Sequence, residues 1–576
     1  MDQSERRGAG EEGAARPPSV HAVAALGFTQ VAFAGHNRVE DLGGAKVLEG
    51  ELRAAFSMLA DAGVRNARLL TGLAPGADVL AARAWRAAAL GPLHAVFPFL
   101  DVVPAEGAAD LMSEATWLDG AASAAAGRNP HLAQTRCIIG AADLLVVAWT
   151  GRPARGAGGT ADAVRLALEH GAPVLWIEPG GQRPPRLIAP AHLDEDFGFQ
   201  ELLEHLAEAR PPLLQSATPE VLHSALVDLG LDADRLRGLM AVPPSDEDEK
   251  RPARAYRVFR RLLGGRITAA HPESLPADLE ADPGFVRLTL AYVQTDQRAS
   301  RLGARHRSHQ VILLAIAIFA AAVGSASALW PALKVFMVAL ELLLALWALM
   351  IWRDSERGRR HQRWGEARRL AEDLRLERAA WSLGVSTIPH GVELTSTEAA
   401  RHERRLAGLP RGHYDPERVA AWGSWAMDQL VAGQAAYHLR QGQMNGRISH
   451  RVHQLENATF VLLMATLVAY LLVAIAMALT GRETPEWLAV LVAMTGAIVP
   501  AISAAGLALE ATLSLGEEAQ RSNMLAARLE RLAAGLRPDS GLDVLQNTAR
   551  AAIRLQRAQE DHWAEGAIRR RLVRGG

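Results

Sequence analysis

Residues 306–319 read HRSHQVILLAIAIF, five mostly polar residues that run straight into an apolar span. Residues 450–454 repeat the step as HRVHQ, and within a few residues the chain again turns apolar. The stretches behind these steps, 311–333 and 457–480, contain no charged residue. Each has a companion, 335–352 and 487–509, and Glu341 is the single charge between them. About 20 apolar residues at 1.5 Å each cover a hydrocarbon core of roughly 30 Å. Two matched pairs of that length predict four membrane-spanning helices and a lipid bilayer as a partner.

The arginines predict the orientation. Arg298, Arg301, Arg305 and Arg307 precede the first span, and Arg353, Arg357, Arg359, Arg360 and Arg363 follow the second. Between them only Lys334 is basic. The second pair repeats the layout, with Arg440, Arg447 and Arg451 before it and Arg521 and Arg528 after. Both pairs therefore read as hairpins with their ends inside, and each is followed by a charged amphipathic helix. The C-terminal half reads as a duplicated module of about 145 residues. Within it, Glu341 is a carboxylate at membrane depth, which packs against a polar partner or lines a pore. Pro500, between Gly496 and Gly506, is a gating hinge or a tolerated kink. His306 with His309, and His450 with His453, share a helix face at i,i+3, but no carboxylate or thiol completes a metal site. Trp381, Trp422 and Trp425 are expected to pack cytosolic helices together.

The rest of the composition narrows the class. A formal net charge of -1 gives no basic field for nucleic acid. The single cysteine, Cys137, excludes an internal disulfide and reads as a small core residue. Residues 1–27 read as a disordered leader of mixed charge, not a signal peptide, which leaves the N-terminal domain in the cytosol.

From residue 28 short apolar runs alternate with helical stretches. TQVAFAG (29–35), ARLLTG (67–72), LHAVFPF (93–99), ADLLVVAW (142–149) and PVLWIEP (173–179) read as strands. LEGELRAAFSMLADAG (48–63), ADVLAARAWRAAAL (77–90) and GGTADAVRLALEHG (158–171) read as helices. That alternation predicts an α/β doubly wound parallel sheet, Rossmann-like, over 28–180. Ligands on such sheets bind beyond the carboxyl ends of the strands.

Three strand ends carry candidate chemistry: AGHNR (34–38), TGLAPGAD (71–78) and WTGRPARGAGGTAD (149–162). Glycine there lets the backbone approach a ligand, and the helices that follow present N–H groups to an anion. The candidate ligand-binding residues are Gly35, His36, Arg38, Thr71, Gly72, Gly76, Asp78, Arg155, Gly158, Gly159, Thr160 and Asp162, with Arg152 as further charge. Thr160 is placed to cap its helix or donate to phosphate. No GxGxxG or GxxxxGK[ST] fingerprint occurs there, and no metal or resident cofactor is expected.

These three motifs, in this order, resemble the SLOG superfamily, which includes DNA-processing protein A, the LOG nucleotide phosphoribohydrolases and nucleotide-sensing domains of bacterial defence systems. The two-span units with their flanking helices resemble the SLATT membrane effector modules that accompany SLOG sensors, over roughly 286–540. The resemblance implies a bacterial inner-membrane protein with cytosolic termini, a nucleotide-derived ligand, and a predicted pore or membrane-perturbing effector. Four spans from one chain enclose little, so a conducting form is expected to be a homo-oligomer. One departure matters. The LOG hydrolases carry PGGxGTxxE, and here Arg155, Ala157 and Ala163 stand at its proline, second glycine and glutamate. Asp162 comes one residue early, about 100° round a helix. The phosphate cradle is kept and the hydrolytic carboxylate lost, which favours sensing; a membrane-tethered nucleotide or NAD hydrolase and a non-conducting anchored scaffold stay as alternatives. Residues 181–285 read as a helical linker, 286–385 as the first two-span module, 386–420 as a connector, 421–540 as the second module and 541–576 as a C-terminal cytosolic helix.

Overall fold

The computed structural model describes residues 26–573, apart from 105–106, 126, 153–155, 181–182, 189–213, 235–253, 263–272, 358–359, 387–394 and 538–539. Residues 1–25 of the leader and Arg155 thus lie outside the described residues.

The five expected strands form. They are β1 (Thr29–Gly35), β2 (Ala67–Thr71), β3 (Leu93–Phe97), β5 (Leu144–Ala148) and β6 (Val174–Ile177). They enclose α1 (Ala45–Asp61), α2 (Ala77–Ala87) and α5 (Thr160–Glu169). The sheet is larger than its obvious strands, with nine in the order β8-β7-β6-β5-β1-β2-β3-β4-β9. β4 (Glu114–Trp117) precedes α3 (Gly120–Ala125) and α4 (Pro130–Ala141). β7 (Arg186–Ile188) and β8 (Leu214–Ser216) pair antiparallel, so the sheet is parallel-dominant and mixed. α6 (Pro219–Asp228) follows β8 and packs on α1. Residues 181–285 therefore contribute strands to the sheet domain and are not helical throughout. Two- to four-residue strands at a sheet edge carry no alternation to read, which is why they were not expected.

The chain continues through α7 (Ala255–Leu262) and α8 (Ala277–Ala281) to α9 (Pro283–Leu329) and α10 (Lys334–Arg357). It returns as α11 (Arg360–Ser382) and α12 (Thr395–Ala407), reaches β9 (Gly412–His413) and enters α13 (Pro416–Met427). A π turn (Asp428–Ala432) joins α13 to α14 (Gly433–Leu479), followed by α15 (Glu486–Leu513), α16 (Leu515–Ala533) and α17 (Leu542–Val573). Among the described residues, four helices are long and apolar enough to cross a membrane, within Pro283–Ser327, Lys334–Ser355, Pro416–Leu479 and Glu486–Ala508. Their apolar surfaces face outward, as at Leu342, Leu343, Phe460, Val461, Leu471 and Leu472. α9 and α14 each run 47 residues, about 70 Å, so each continues beyond its apolar part as a stalk. α9 touches α10, α11 and α15; α14 touches α15 and α16.

One face of the sheet (Val31, Phe33, Leu69, Ala95, Val146) packs under α1, α2 and α6. The other face (Ala32, Leu70, Val96, Leu145, Val147) packs on α4 and α5. There the core does not stop. It runs on into Leu376 and Trp381 of α11, Trp422 of α13, Leu529 of α16 and Ile553 of α17. Trp381 stacks near Trp422, ring centroids 6.2 Å apart, and with Trp425 these rings pack helices outside the long apolar ones together. Cys137 sits in the same core, where burial pushes its thiol up to about 11 and leaves it inert at neutral pH.

The connector between the two helix pairs holds the opposite sheet edge. β9 pairs parallel with β4, Thr116 opposite Gly412. Arg405 of α12 reaches the amino ends of the strands and pairs with Asp143 at 2.6 Å, both side chains 2% exposed. Asp143 also accepts from the Gln30 N–H at 2.9 Å, and the Gln30 amide donates to the Arg405 carbonyl at 2.8 Å.

Candidate functional site

The strand order decides where a ligand can sit. From β1 the chain moves to β2, β3 and β4, then returns to β5 and β6 on the other side. The direction of winding changes between β1 and β5, and the crevice at such a point is where doubly wound sheets bind ligands. The three candidate loops follow β5, β1 and β2, which are adjacent strands, so they meet at that point.

Glycines bring the loops together. A Cβ on Gly35 would stand 2.5 Å from the Ala77 Cβ, and one on Gly76, at φ 104°, would overlap the Asn37 carbonyl oxygen. The turn after β1 therefore lies directly on the start of α2. A Cβ on Gly72 would meet the Gln134 amide at 2.7 Å, and one on Gly158, at φ 86°, would meet the His131 carbonyl carbon at 2.5 Å. α4 is thereby drawn against both the β2 and β5 loops. Across the switch point, Thr150 Oγ1 and His36 Nε2 lie 3.5 Å apart.

Asp78 organises the β2 loop. Its carboxylate accepts from Thr71 Oγ1 at 3.1 Å and from the Ala74 N–H at 3.3 Å. Burial pushes its carboxyl up to about 7, against these hydrogen bonds and one from the Gly35 backbone, which favour the charged form. Leu73 in this loop takes a left-handed φ of 49°, tied by its N–H to Thr71 Oγ1 at 3.2 Å. Strain of that kind persists only where surrounding contacts enforce it. Asp162 organises the β5 loop by accepting from the Gly158 N–H at 2.7 Å, and it pairs with Arg165 at 3.6 Å. Thr135 holds the Gly158 carbonyl at 3.0 Å.

α1, α2 and α5 begin at Gly44, Gly76 and Gly159, and none of these has a side-chain cap. By contrast, α4 is capped by Asn129 and α6 by Thr218. Apart from the Ala77 N–H, which donates to the His36 carbonyl at 3.3 Å, the first-turn N–H groups of these helices carry no side-chain cap, the arrangement that binds phosphate. Thr160 is buried as the first helical residue, so the cap position belongs to Gly159. Arg38 is exposed on the loop after β1, and the Arg152 carbonyl accepts from Trp149 Nε1 at 2.8 Å. Gln134 and Thr150 also join the site.

Elsewhere, Glu341 lies against α9, where a Cβ on Gly324 would be 3.3 Å from its Oε1. α15 continues without interruption through Pro500. Among the described residues no group of three His, Cys, Asp or Glu side chains is placed to hold a metal. Compared with known proteins, the chain matches no family model, no curated protein and no solved structure.

Proposed function

We propose that the chain is a membrane-bound sensor–effector of the SLOG–SLATT kind. A nucleotide-derived signal binds at the β1–β5 switch point, and the four long helices form or gate a pore or perturb the membrane, as in bacterial conflict defence. The observation that carries this reading is the continuity of the core. The sheet that bears three glycine-started, uncapped helices is packed without a break onto α11, α13, α16 and α17. A ligand that draws the three loops together changes the packing of the same sheet that the stalks rest on. It drives the effector to the extent that it binds one arrangement more tightly than the other.

The shared core also supports a one-sided layout. The sheet domain, the connector and α17 contact one another, so all lie on one side of a membrane crossed by the four helices. With the arginine asymmetry that side is the cytosol, at the bacterial inner membrane. The two helix pairs are read as copies of one module, and the conducting form as a homo-oligomer.

The test uses the full-length chain in nanodiscs. Thermal stability is measured against linear, cyclic and ADP-ribose-type nucleotides, with mass spectrometry for turnover and Gly159→Trp as the blocked site. A nucleotide that stabilises the wild type, is recovered intact and fails on the variant supports the sensor, and the same nucleotide should release ions from liposomes. A membrane-tethered hydrolase has one observation in its favour, a carboxyl at Asp78 that titrates near neutrality, as a general base does. A ligand recovered cleaved, with turnover lost in Asp78→Asn, would establish that reading instead.

A further inference from the structure

The two basic steps have like surroundings and unlike contents. In the first, His306 stacks on Trp364 of α11, ring centroids 5.6 Å apart, and lies 5.0 Å from the His361 ring. Arg307 lies over Trp364 at 5.5 Å and over Tyr256 of α7 at 5.0 Å. A Cβ on Gly303 would stand 2.6 Å from Trp364 Nε1, so the indole fills the space between the stalk and the returning helix. In the second, the returning helix is α16, and it presents Ala519 and Asn523 to the stalk. The two helices pack closely there, a Cβ on Gly446 standing 3.7 Å from the Ala519 Cβ, and no ring covers the contact, so a cleft of about 560 Å³ opens beside it, whose walls include Gly442, Gly446, Arg447, Arg451 and Asn523.

Arg447 and Arg451 stand one helical turn apart on α14, so both guanidiniums can reach one bound group. Both are exposed, and neither makes an ion pair or hydrogen bond among the described residues. Arg451 corresponds to Arg307 of the first step, which is packed between two rings. Two unpaired arginines over a cleft with an amide in its wall form a receptor for a phosphate.

The height of the cleft identifies where the phosphate comes from. Arg451 lies about 9 Å along α14 from residue 457, where the uncharged stretch begins. α7 crosses both stalks at this level. The Tyr256 N–H donates to Ser308 Oγ at 3.2 Å, and Arg260 donates to Met444 Sδ at 3.2 Å. α7 exposes Val258 (53%) and Leu262 (77%) beside Arg257 and Arg261, the composition of a helix that lies in a membrane surface.

We infer that this cleft binds the phosphate headgroup of an anionic phospholipid from the leaflet on the stalk side, with Arg447 and Arg451 as its ligands. A zwitterionic headgroup would bring its own cation toward the two arginines, so phosphatidylglycerol is preferred over phosphatidylcholine. The assignment rests on the bilayer placement of α9, α10, α14 and α15 made above. It does not depend on the nucleotide site.

The full-length chain is incorporated into nanodiscs of mixed phosphatidylcholine and phosphatidylglycerol, then stripped with detergent, and retained lipid is counted by native mass spectrometry. The wild type should keep phosphatidylglycerol in preference. Each arginine at an anionic surface contributes about fivefold, so Arg447→Gln with Arg451→Gln should lower retention about 25-fold. Ala519→Trp, which keeps both arginines but fills the cleft as Trp364 fills the first, should cause the same loss. Arg521→Gln, which removes a charge paired with Glu517 at 3.2 Å, should change little. If Ala519→Trp fails to fold, the surface pair Arg447/Arg451 still carries the test. Equal retention by the double variant, or an equal loss in Arg521→Gln, overturns the site. Displacement by inorganic phosphate with no lipid preference also overturns it, in favour of a free anion. A chain that does not enter nanodiscs defeats the bilayer placement, whereas entry without lipid selectivity defeats this inference alone.

Discussion

Arg405→Leu is the substitution that should most directly uncouple the membrane connector from the sheet. It removes the partner of Asp143 at a point where both side chains are 2% exposed. The carboxylate would then stay buried with the Gln30 N–H donating to it at 2.9 Å and the buried Arg401 as the nearby cation that remains. Removing one member of a buried pair costs about 3–5 kcal/mol, because the remaining charge has lost its compensation. Asp143→Leu should cost a similar amount, since the guanidinium would keep only the Leu229 carbonyl at 3.4 Å. The double leucine variant removes both charges and leaves the Gln30 N–H unpaired, worth about 1–3 kcal/mol. It should therefore be less damaged than either single variant. The assay is hydrogen exchange by mass spectrometry on the full chain in nanodiscs, read at peptides covering β1 and β5. At 1.36 kcal/mol per tenfold, each single variant should lower protection there by about 150- to 5,000-fold. A loss under about tenfold in Arg405→Leu, or a double variant as damaged as the two singles combined, would refute the buried pair as the joint.

Asp78 sets a pH dependence. Its folded value of about 7 exceeds the ordinary 3.8, so the folded state holds the proton more tightly. Stability is then greatest below about 4 and falls as pH rises to about 7, by at most about 4 kcal/mol, and is flat beyond. The wild-type melting temperature should drop across that window more than that of Asp78→Asn; parallel profiles would remove Asp78 as the cause. Gly76→Ala places a methyl group on the Asn37 carbonyl oxygen at a φ of 104°, so it should separate the β1 and β2 loops and abolish nucleotide-induced stabilisation. An unchanged thermal shift would show that the close approach is not part of the site. Pro500→Ala restores a backbone N–H inside α15 and should lower ligand-triggered ion release from liposomes about tenfold with ligand binding unchanged, if the helix bends there. Equal release would assign Pro500 to packing alone.

Asp162, one residue before Ala163, turns into its own loop. Its carboxylate holds the Gly158 N–H at 2.7 Å, so it serves the loop's shape. The crevice retains donors for an anion, and burial raises the Asp78 carboxyl in it to about 7.

The four long apolar helices, the five central strands and the three glycine loops were legible in the chain itself. Each is a local signal: an apolar run long enough for a bilayer, a short strand rich in apolar residues, or a glycine where backbone must pass close to backbone. The strand order brings those loops to neighbouring strand ends. Gln134 and Thr150 could not be read, because their roles depend on which loops they meet and not on their neighbours in sequence. The edge strands β4, β7, β8 and β9 are two to four residues long, too short to show a period. Arg405 lies 262 residues from Asp143, and nothing in the composition of α12 distinguishes an arginine bound for a core from one facing water. The two HRxHQ steps are identical in four of five letters, yet one is filled by Trp364 and the other left open above Ala519. Local chain chemistry determined which elements form; the joint between sheet and stalks, and the cleft, were decided by packing between distant segments, where a side chain's neighbour sets its energy.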